Sequence, residues 1–388
     1  MAVMYVTDIQ VKHFRNYEEC KLAFSPTTNV FVGQNAQGKT NILEAIMMIA
    51  VAKSHRTNKD YEMIQWDEQT AFIHANIFRA ERNYKLQLNI MKHGKKALIN
   101  GIEKRKMSEF VGHLNMVLFA PEDLTLVKGS PQIRRRFLDI EIGQISPTYL
   151  YDLSQYQKVL QQRNQVLKSS PTLTPSVEAM VSIWDDQLVS YGSKIIIKRF
   201  QFIKKLETFA NDIQQSISSG KETLHFTYVS PILTELNRTI SMDPGLTHID
   251  HLEKDIHSAY QQMLESKLSQ DIHKGITSVG PHRDDIQMFV NEMPVDIYGS
   301  QGQQRTTALS MKLAEIELIR SEVGEYPVLL LDDVLSELDE RRQLQLIQSM
   351  GEKVQTFITT TTTFGLESFL QHKARIYRVD SGIIQEEG

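Results

Sequence analysis

Among the 388 residues of this chain, one stretch of eight constrains the fold more than any other: Gly33, Gln34, Asn35, Ala36, Gln37, Gly38, Lys39 and Thr40. It fits the pattern G-x-x-x-x-G-K-[ST], whose loop must join a strand to a helix before it can work. Both neighbours have the required texture. Asn29–Val32 is a short apolar run, and Asn41–Ala52 carries apolar residues at helical spacing. A strand–loop–helix unit of this kind belongs to an α/β sheet with parallel strands. The residue types follow from the chemistry. Glycines let the backbone curl so that successive N–H groups point at a β-phosphate. The helix start behind them adds favourable partial charge. Lys39 is placed to bridge β- and γ-phosphates, and Thr40 to offer its hydroxyl to Mg²⁺. The ligand expected is ATP with Mg²⁺.

Three later segments extend this reading. Pro327–Leu331 is a continuous apolar run ending in Asp332 and Asp333, the pattern of a buried parallel strand with carboxylates where open α/β sheets bind ligands. This is a Walker B pattern: Asp332 is expected to hold the metal, Asp333 to orient or activate the attacking water, and Lys39 to act with it. Upstream, Ser300, Gly302 and Gln303 open a helical stretch and are similar to the signature of ABC ATPases, in which such residues cap a γ-phosphate from the opposite subunit. Ser336–Asp339 stands at D-loop spacing, and Thr359–Thr363 stands where a switch histidine is usual, Thr360 nearest that place.

The rest of the chain divides by texture. Residues 1–130 hold the P-loop and strand patterns, among them a hairpin from Val3–Val11 and Cys20–Phe24, then Ala71–Arg79, Tyr84–Met91 and Lys96–Asn100, an antiparallel β lobe. Residues 131–275 read as helices (Ile133–Ile140, Ser146–Lys168, Pro175–Thr208 and His248–Ser269), an inserted arm domain. Residues 276–388 return to strands and helices, with Ile286–Val290 pairing with Met293–Ile297, a helix over Gln303–Ser321, another over Glu340–Met350, and strands at Val354–Thr359 and Arg375–Asp380. No apolar run reaches the ~20 residues of a membrane-spanning helix. The start lacks the pattern of a signal peptide, and the single cysteine, Cys20, fits a reducing cytoplasm and a buried small side chain. A net charge of −4 neither announces nor excludes nucleic acid. Candidate phosphate contacts are Lys95, Lys96, Lys104, Arg105, Lys106 and the stretch Lys194–Lys205, which includes Arg199. The run Arg134, Arg135, Arg136 is assigned to support of the nucleotide lobe.

P-loop, signature, Walker B and D-loop in this order are the marks of the ABC ATPase class, and a long insert between the two halves resembles the SMC/Rad50 group. Closer still, His13–Tyr17, Gly33–Ala45, Phe119–Pro131 with Arg134–Asp139, Gly280–Asp285 and Gly299–Thr306 resemble blocks of the RecF family. That resemblance implies a mixed-sheet ATPase head with an inserted helical arm. It also implies an ATP-dependent homodimer that binds single-stranded and gapped duplex DNA and works with RecR and RecO to place RecA. Carried over by position, Arg15 and Asn16 approach the nucleotide and Glu122 falls near the Q-loop. Gln301 stands where the signature has its second glycine, and Asp333 where a glutamate is usual. The shorter carboxylate implies slow hydrolysis, a switch more than a motor. The alternative is a nucleotide-binding scaffold that recruits partners without turnover.

Overall fold

A computed structural model describes residues 4–170, 172–236, 249–335, 339, 342–343, 346, 354–362 and 374–387. Along the chain, β1 (Tyr5–Phe14), β2 (Tyr17–Ala23) and β3 (Thr28–Val32) lead to helix α1 (Lys39–Val51). Then come β4 (Thr70–Arg79), β5 (Arg82–Met91), β6 (Gly94–Ile99), β7 (Ile102–Lys104) and β8 (Met116–Phe119). Helices α2 (Leu124–Lys128), α3 (Pro131–Ile145), α4 (Pro147–Ser169) and α5 (Pro175–Ser218) follow, then β9 (Leu224–Val229), α6 (Pro231–Glu235) and α7 (Ile249–Lys274). The last part holds β10 (Asp285–Val290), β11 (Met293–Pro294), α8 (Val295–Tyr298), α9 (Gln301–Val323), β12 (Val328–Asp332), β13 (Thr356–Thr360), β14 (Arg375–Asp380) and β15 (Ile383–Glu387).

Two six-stranded sheets frame the ATPase-like part. One is antiparallel in the order β2-β1-β4-β5-β6-β7; the other runs β15-β14-β3-β13-β12-β8 and is parallel except for β15. Burial explains the difference in sequence texture. β12 and β8 are buried at every position and read as unbroken apolar runs, whereas β4 and β5 alternate because one face meets solvent. Helix α1 lies between the sheets. Every residue from Ile42 to Val51 is buried, against β1, β4 and β5 on one side and Phe31, Leu330 and Phe357 of the parallel sheet on the other. A helix covered on all sides needs no amphipathic stripe. Glu44 is the one charge along that buried stretch, and it is fully enclosed.

Helix α9 covers the opposite face of the parallel sheet through Leu309, Leu313 and Ile316. Its other side, with Ala308, Met311, Ala314 and Leu318, enters a second core shared with α3, α4, α5, α7, β9 and β10. The helical part is thus packed onto the ATPase-like part through α9. Two sequence expectations are corrected here. The stretch read as wholly helical contains β9, which pairs antiparallel with β10 across 285–290; its alternation, Leu224, Phe226 and Tyr228 inward, spans only six residues and was hidden among helices. Of Met293–Ile297, only Met293 and Pro294 pair with β10, and Val295 begins the turn of α8. The expected helix Glu340–Met350 lies mostly outside the described residues.

Candidate functional site

The P-loop sits where β3 ends, between β13 and β14 in the parallel sheet. Both outer glycines are fixed by close approach. A Cβ on Gly33 would stand 2.3 Å from the Val379 carbonyl oxygen. Gly38 has φ +116, and a Cβ there would meet Asn16 at 2.6 Å. Gly38 is also the N-cap of α1, so no side chain takes the first backbone donors of the helix, and its first turn holds no acid. The Asn41 N–H donates to the Gly38 carbonyl at 2.8 Å, and the other N–H groups of a helix start without a side-chain cap are an anion site in waiting. Lys39 is 6% exposed, and its ammonium donates to the carbonyl oxygens of Gly33 at 2.6 Å and Gln34 at 2.9 Å. Burial lowers its pKa, with Asp333 and Asp332 opposing.

Thr40 donates its hydroxyl to Asp332 Oδ1 at 2.9 Å, and Thr359 at the end of β13 donates to the same oxygen at 2.8 Å. The backbone N–H of Asp333 donates to Thr359 Oγ1 at 2.9 Å. Asp333 itself stands at φ 53, just past the end of β12. Asn35, Ala36, Gly38, Lys39, Thr40, Asp332, Asp333 and Thr359 line one cavity of about 410 Å³ with Asn41 and Arg56. Arg56 is the residue that sequence reasoning missed, and within the run Thr359–Thr363 it is Thr359 that reaches the cavity. The threonine run had pointed to Thr360, whose hydroxyl instead accepts from Thr362 N–H and whose carbonyl takes the Gly33 N–H at 3.2 Å. Arg56 lies in an irregular stretch and carries no motif; its guanidinium donates to Asn41 Oδ1 at 2.8 Å.

Asn16 packs against the loop, donating to the Gln37 carbonyl at 3.2 Å and accepting from Asn41 Nδ2 at 2.8 Å. Gln37 turns its side chain away, to accept from Ser381 N–H at 2.6 Å. Arg15 points elsewhere: it forms a two-pronged pair with the enclosed Glu44, at 2.8 and 2.6 Å. Burial pushes the Glu44 carboxyl up, but Arg15, Ser54 and Arg56 overcome it, and the group sits below its usual range. Arg15 therefore braces α1 and lines the groove beside the cavity, not the cavity itself. Glu122 is exposed in the turn after β8, the edge strand next to β12.

Ser300, Gly302 and Gln303 do not reach this cavity. They begin α9 under a closed capping box. Gln303 N–H donates to Ser300 Oγ at 3.2 Å, and Ser300 N–H donates to Gln303 Oε1 at 2.9 Å. Beside them Ile297 and Tyr298 are 69% and 65% exposed. Arg342 donates to the Gly302 carbonyl at 2.9 Å. Of the expected D-loop only Asp339 lies within the described residues, where it accepts from Arg342 N–H at 2.9 Å; Thr363 of the threonine run lies outside them. Among the described residues, no three His, Cys, Asp or Glu side chains cluster as a metal site, and no helix is long and apolar enough to cross a membrane.

Residues 5–385 match the model of the RecF/RecN/SMC N-terminal domain. The chain is 50% identical over 381 residues to the DNA replication and repair protein RecF of Bacillus mycoides (strain KBAB4), covering 98% of each. The chain belongs to the RecF family. Its counterpart in Bacillus thuringiensis (strain Al Hakam) is 49% identical over the same length. A solved structure of the recombination mediator RecF with ATP superposes with a TM-score of 0.87 at 33% identity, covering 100% of this chain and 98% of that one. The Smc head domain of Pyrococcus furiosus shares the fold alone, with a TM-score of 0.51 at 14% identity over 99% of this chain and 96% of that one. The architecture is thus the mixed α/β head of the ABC ATPase class.

Several basic residues singled out from sequence are otherwise engaged. Arg199 is 2% exposed and donates to Tyr149, Asp139 and the Pro281 carbonyl, so it is a core residue and not a DNA contact. Lys95 is tied to the Ala52 carbonyl at 2.6 Å and Asp60 at 2.9 Å. Arg134 makes a two-pronged pair with Asp285 at 2.7 and 2.8 Å, fastening α3 to β10. Arg105, Lys106, Lys194 and Lys198 remain exposed. Cys20 is buried, and burial pushes its thiol up to about 11.

Proposed function

We propose that this chain is an ATP-dependent DNA-binding protein of replication and recombinational repair, in which ATP closes two copies around a shared site. One observation carries the reading: the phosphate cradle and the two carboxylates line one cavity, while the signature residues lie outside it, beside exposed Ile297 and Tyr298. Each copy then holds half of two sites. The ATP-bound RecF structures of 33% identity favour the same ligand here, and the relatives' repair role favours DNA as the partner.

In this reading the uncapped N–H groups of α1 and the Lys39 ammonium take the β- and γ-phosphates. Thr40 and Asp332 fit Mg²⁺, which favours one or two protein oxygens and keeps phosphate and water for the rest. Thr359 donates to Asp332 and leaves its other oxygen open. When bound, the ion neutralises phosphate charge. Asp333 orients the attacking water, and as the shorter carboxylate it does so from farther off, so turnover is slow. Ser300 and Gln303 of the second copy cover the γ-phosphate. RecO and RecR are the partners for which the closed dimer on gapped DNA sets the stage, in the cytoplasm. Titration with a fluorescent ATP analogue tests the first step: micromolar binding is expected, and none at saturating protein would remove the basis of the proposal. Single-turnover hydrolysis separates a slow switch from a scaffold, which would show no product.

A further inference from the structure

A second cavity, of about 520 Å³, lies away from the P-loop, between the segment that follows α1 and the helices α3, α4 and α5. Five cations line it: Lys53, Lys95, Arg135, Arg136 and Arg199. Only two carboxylates do, and both are already paired. Asp60 pairs with Lys95 at 2.9 Å; Asp139 pairs with Arg199 at 2.7 Å and accepts from Tyr149 at 2.6 Å. Arg135 donates to the Asp284 carbonyl at 2.7 Å and Arg136 to the Ser54 carbonyl. Each guanidinium has five N–H donors, so most stay available. Among the described residues, Lys53, Arg135 and Arg136 have no carboxylate within ion-pair distance, and Lys53 has no hydrogen bond. Burial lowers the pKa of Lys53, and Arg136 and Lys95 lower it further against the pull of Asp139. Burial likewise disfavours the charged forms of Arg135 and Arg136; around Arg135, Arg199 and Arg283 act in the same sense, and Asp285 and Asp284 against it.

Partly desolvated like charges that outnumber the carboxylates around them cost folding energy, and proteins keep them where an anion completes the set. One wall is apolar, with Leu153 and Leu160 of α4, and the rim is neutral and exposed at Asn58, Gln132 and Gln157. Guanidinium forks match phosphate geometry, and an apolar wall beside them suits a base or sugar. The volume exceeds what a lone phosphate fills and lies in the range of ligand sites.

We propose that this cavity holds phosphates of a nucleic-acid strand, with Lys53, Arg135 and Arg136 as the contacts. The source of the phosphate rests on the DNA-binding reading above; the anion site does not. The test measures anisotropy of a labelled gapped duplex across a salt series, with a non-hydrolysable ATP analogue present. Lys53→Gln and Arg135→Gln are each expected to weaken binding about tenfold and to reduce the salt slope by about one contact's worth, with ATP affinity unchanged. Arg320→Gln, an exposed cation paired with Glu317, serves as the control and is expected to change neither. Thermal melts without DNA guard against a merely structural role: removing Lys53 relieves repulsion, so the midpoint is expected to hold or rise. Wild-type affinity and slope in both variants would overturn the proposal, as would a lowered midpoint that accounts for the loss. If the unaltered protein binds no DNA, the DNA reading fails by itself. The cavity is then tested with inorganic pyrophosphate in a Lys39→Ala background, which removes the P-loop. Stabilisation that Lys53→Gln abolishes would support a phosphate site filled by free anions, and no stabilisation would overturn it.

Discussion

Helix α1 begins with its backbone donors uncapped, with Gly38 at the cap and no acid in the first turn; α9 begins with Ser300 and Gln303 closed on each other. Both starts were picked out by motif, yet their first donors are handled differently. A helix start stripped of its cap forgoes about 1 kcal/mol of local stability, which a bound anion can return. A capped start is stable alone and gives up its serine only when something better arrives. On the proposed reading, the loop end of α1 holds its ligand within one copy, and the α9 end waits for a ligand presented by another.

The largest expected effect breaks the α1 side. Lys39→Ala removes the buried ammonium proposed to meet the phosphates, and ATP affinity measured by calorimetry is expected to fall at least about a hundredfold; unchanged affinity would reverse the assignment. Asp333→Asn leaves the cradle intact but removes the carboxylate proposed to orient the attacking water, and single-turnover hydrolysis is expected to slow by about a hundredfold while nucleotide still binds. Glu44→Gln breaks the brace beneath α1. The Glu44 carboxyl is held below its ordinary 4.5 by Arg15, Ser54 and Arg56 against burial. Its stabilisation is therefore present above the unfolded value and lost as pH falls through the folded one. The variant should melt below the parent at pH 7, and the gap should close only in acid; a constant gap from pH 8 to pH 4 would mean that the charge is not the source. The smallest effect sharpens the α9 side. Gln303→Ala opens the capping box and should cost about 1 kcal/mol at most, read as a small drop in the melting midpoint, with ATP affinity in the monomer untouched.

Much of this was legible in the chain. The P-loop, the apolar run into Asp332 and Asp333, and the helix of Ser300 declare themselves because their chemistry fixes residue types at fixed spacing, and the long helices α4, α5 and α7 because their patterns are long. What stayed hidden depends on partners far along the chain. Nothing near Thr359 says that its hydroxyl meets Asp332 across neighbouring strands. Arg56 follows α1 in an irregular stretch with no pattern to mark it. Arg199 was read as a candidate phosphate contact, because its counter-charge Asp139 stands on another helix. Arg15 was taken toward the nucleotide from family position, whereas the structure pairs it with Glu44, an acid that helical periodicity alone treats as an interruption. β9 was missed because a six-residue alternation between long helices is a weak signal until its partner β10 is seen.

The central claim is that the cradle at Gly33–Thr40 is half a site, completed by Ser300–Gln303 of a second copy. Sedimentation velocity of the unaltered protein and of Ser300→Arg, each with and without a non-hydrolysable ATP analogue, tests it most directly. The account predicts monomers without nucleotide, dimers with it, and for Ser300→Arg a monomer that still binds the analogue with unaltered affinity. Dimers of Ser300→Arg at wild-type strength, or monomers of the unaltered chain at saturating analogue, would contradict it.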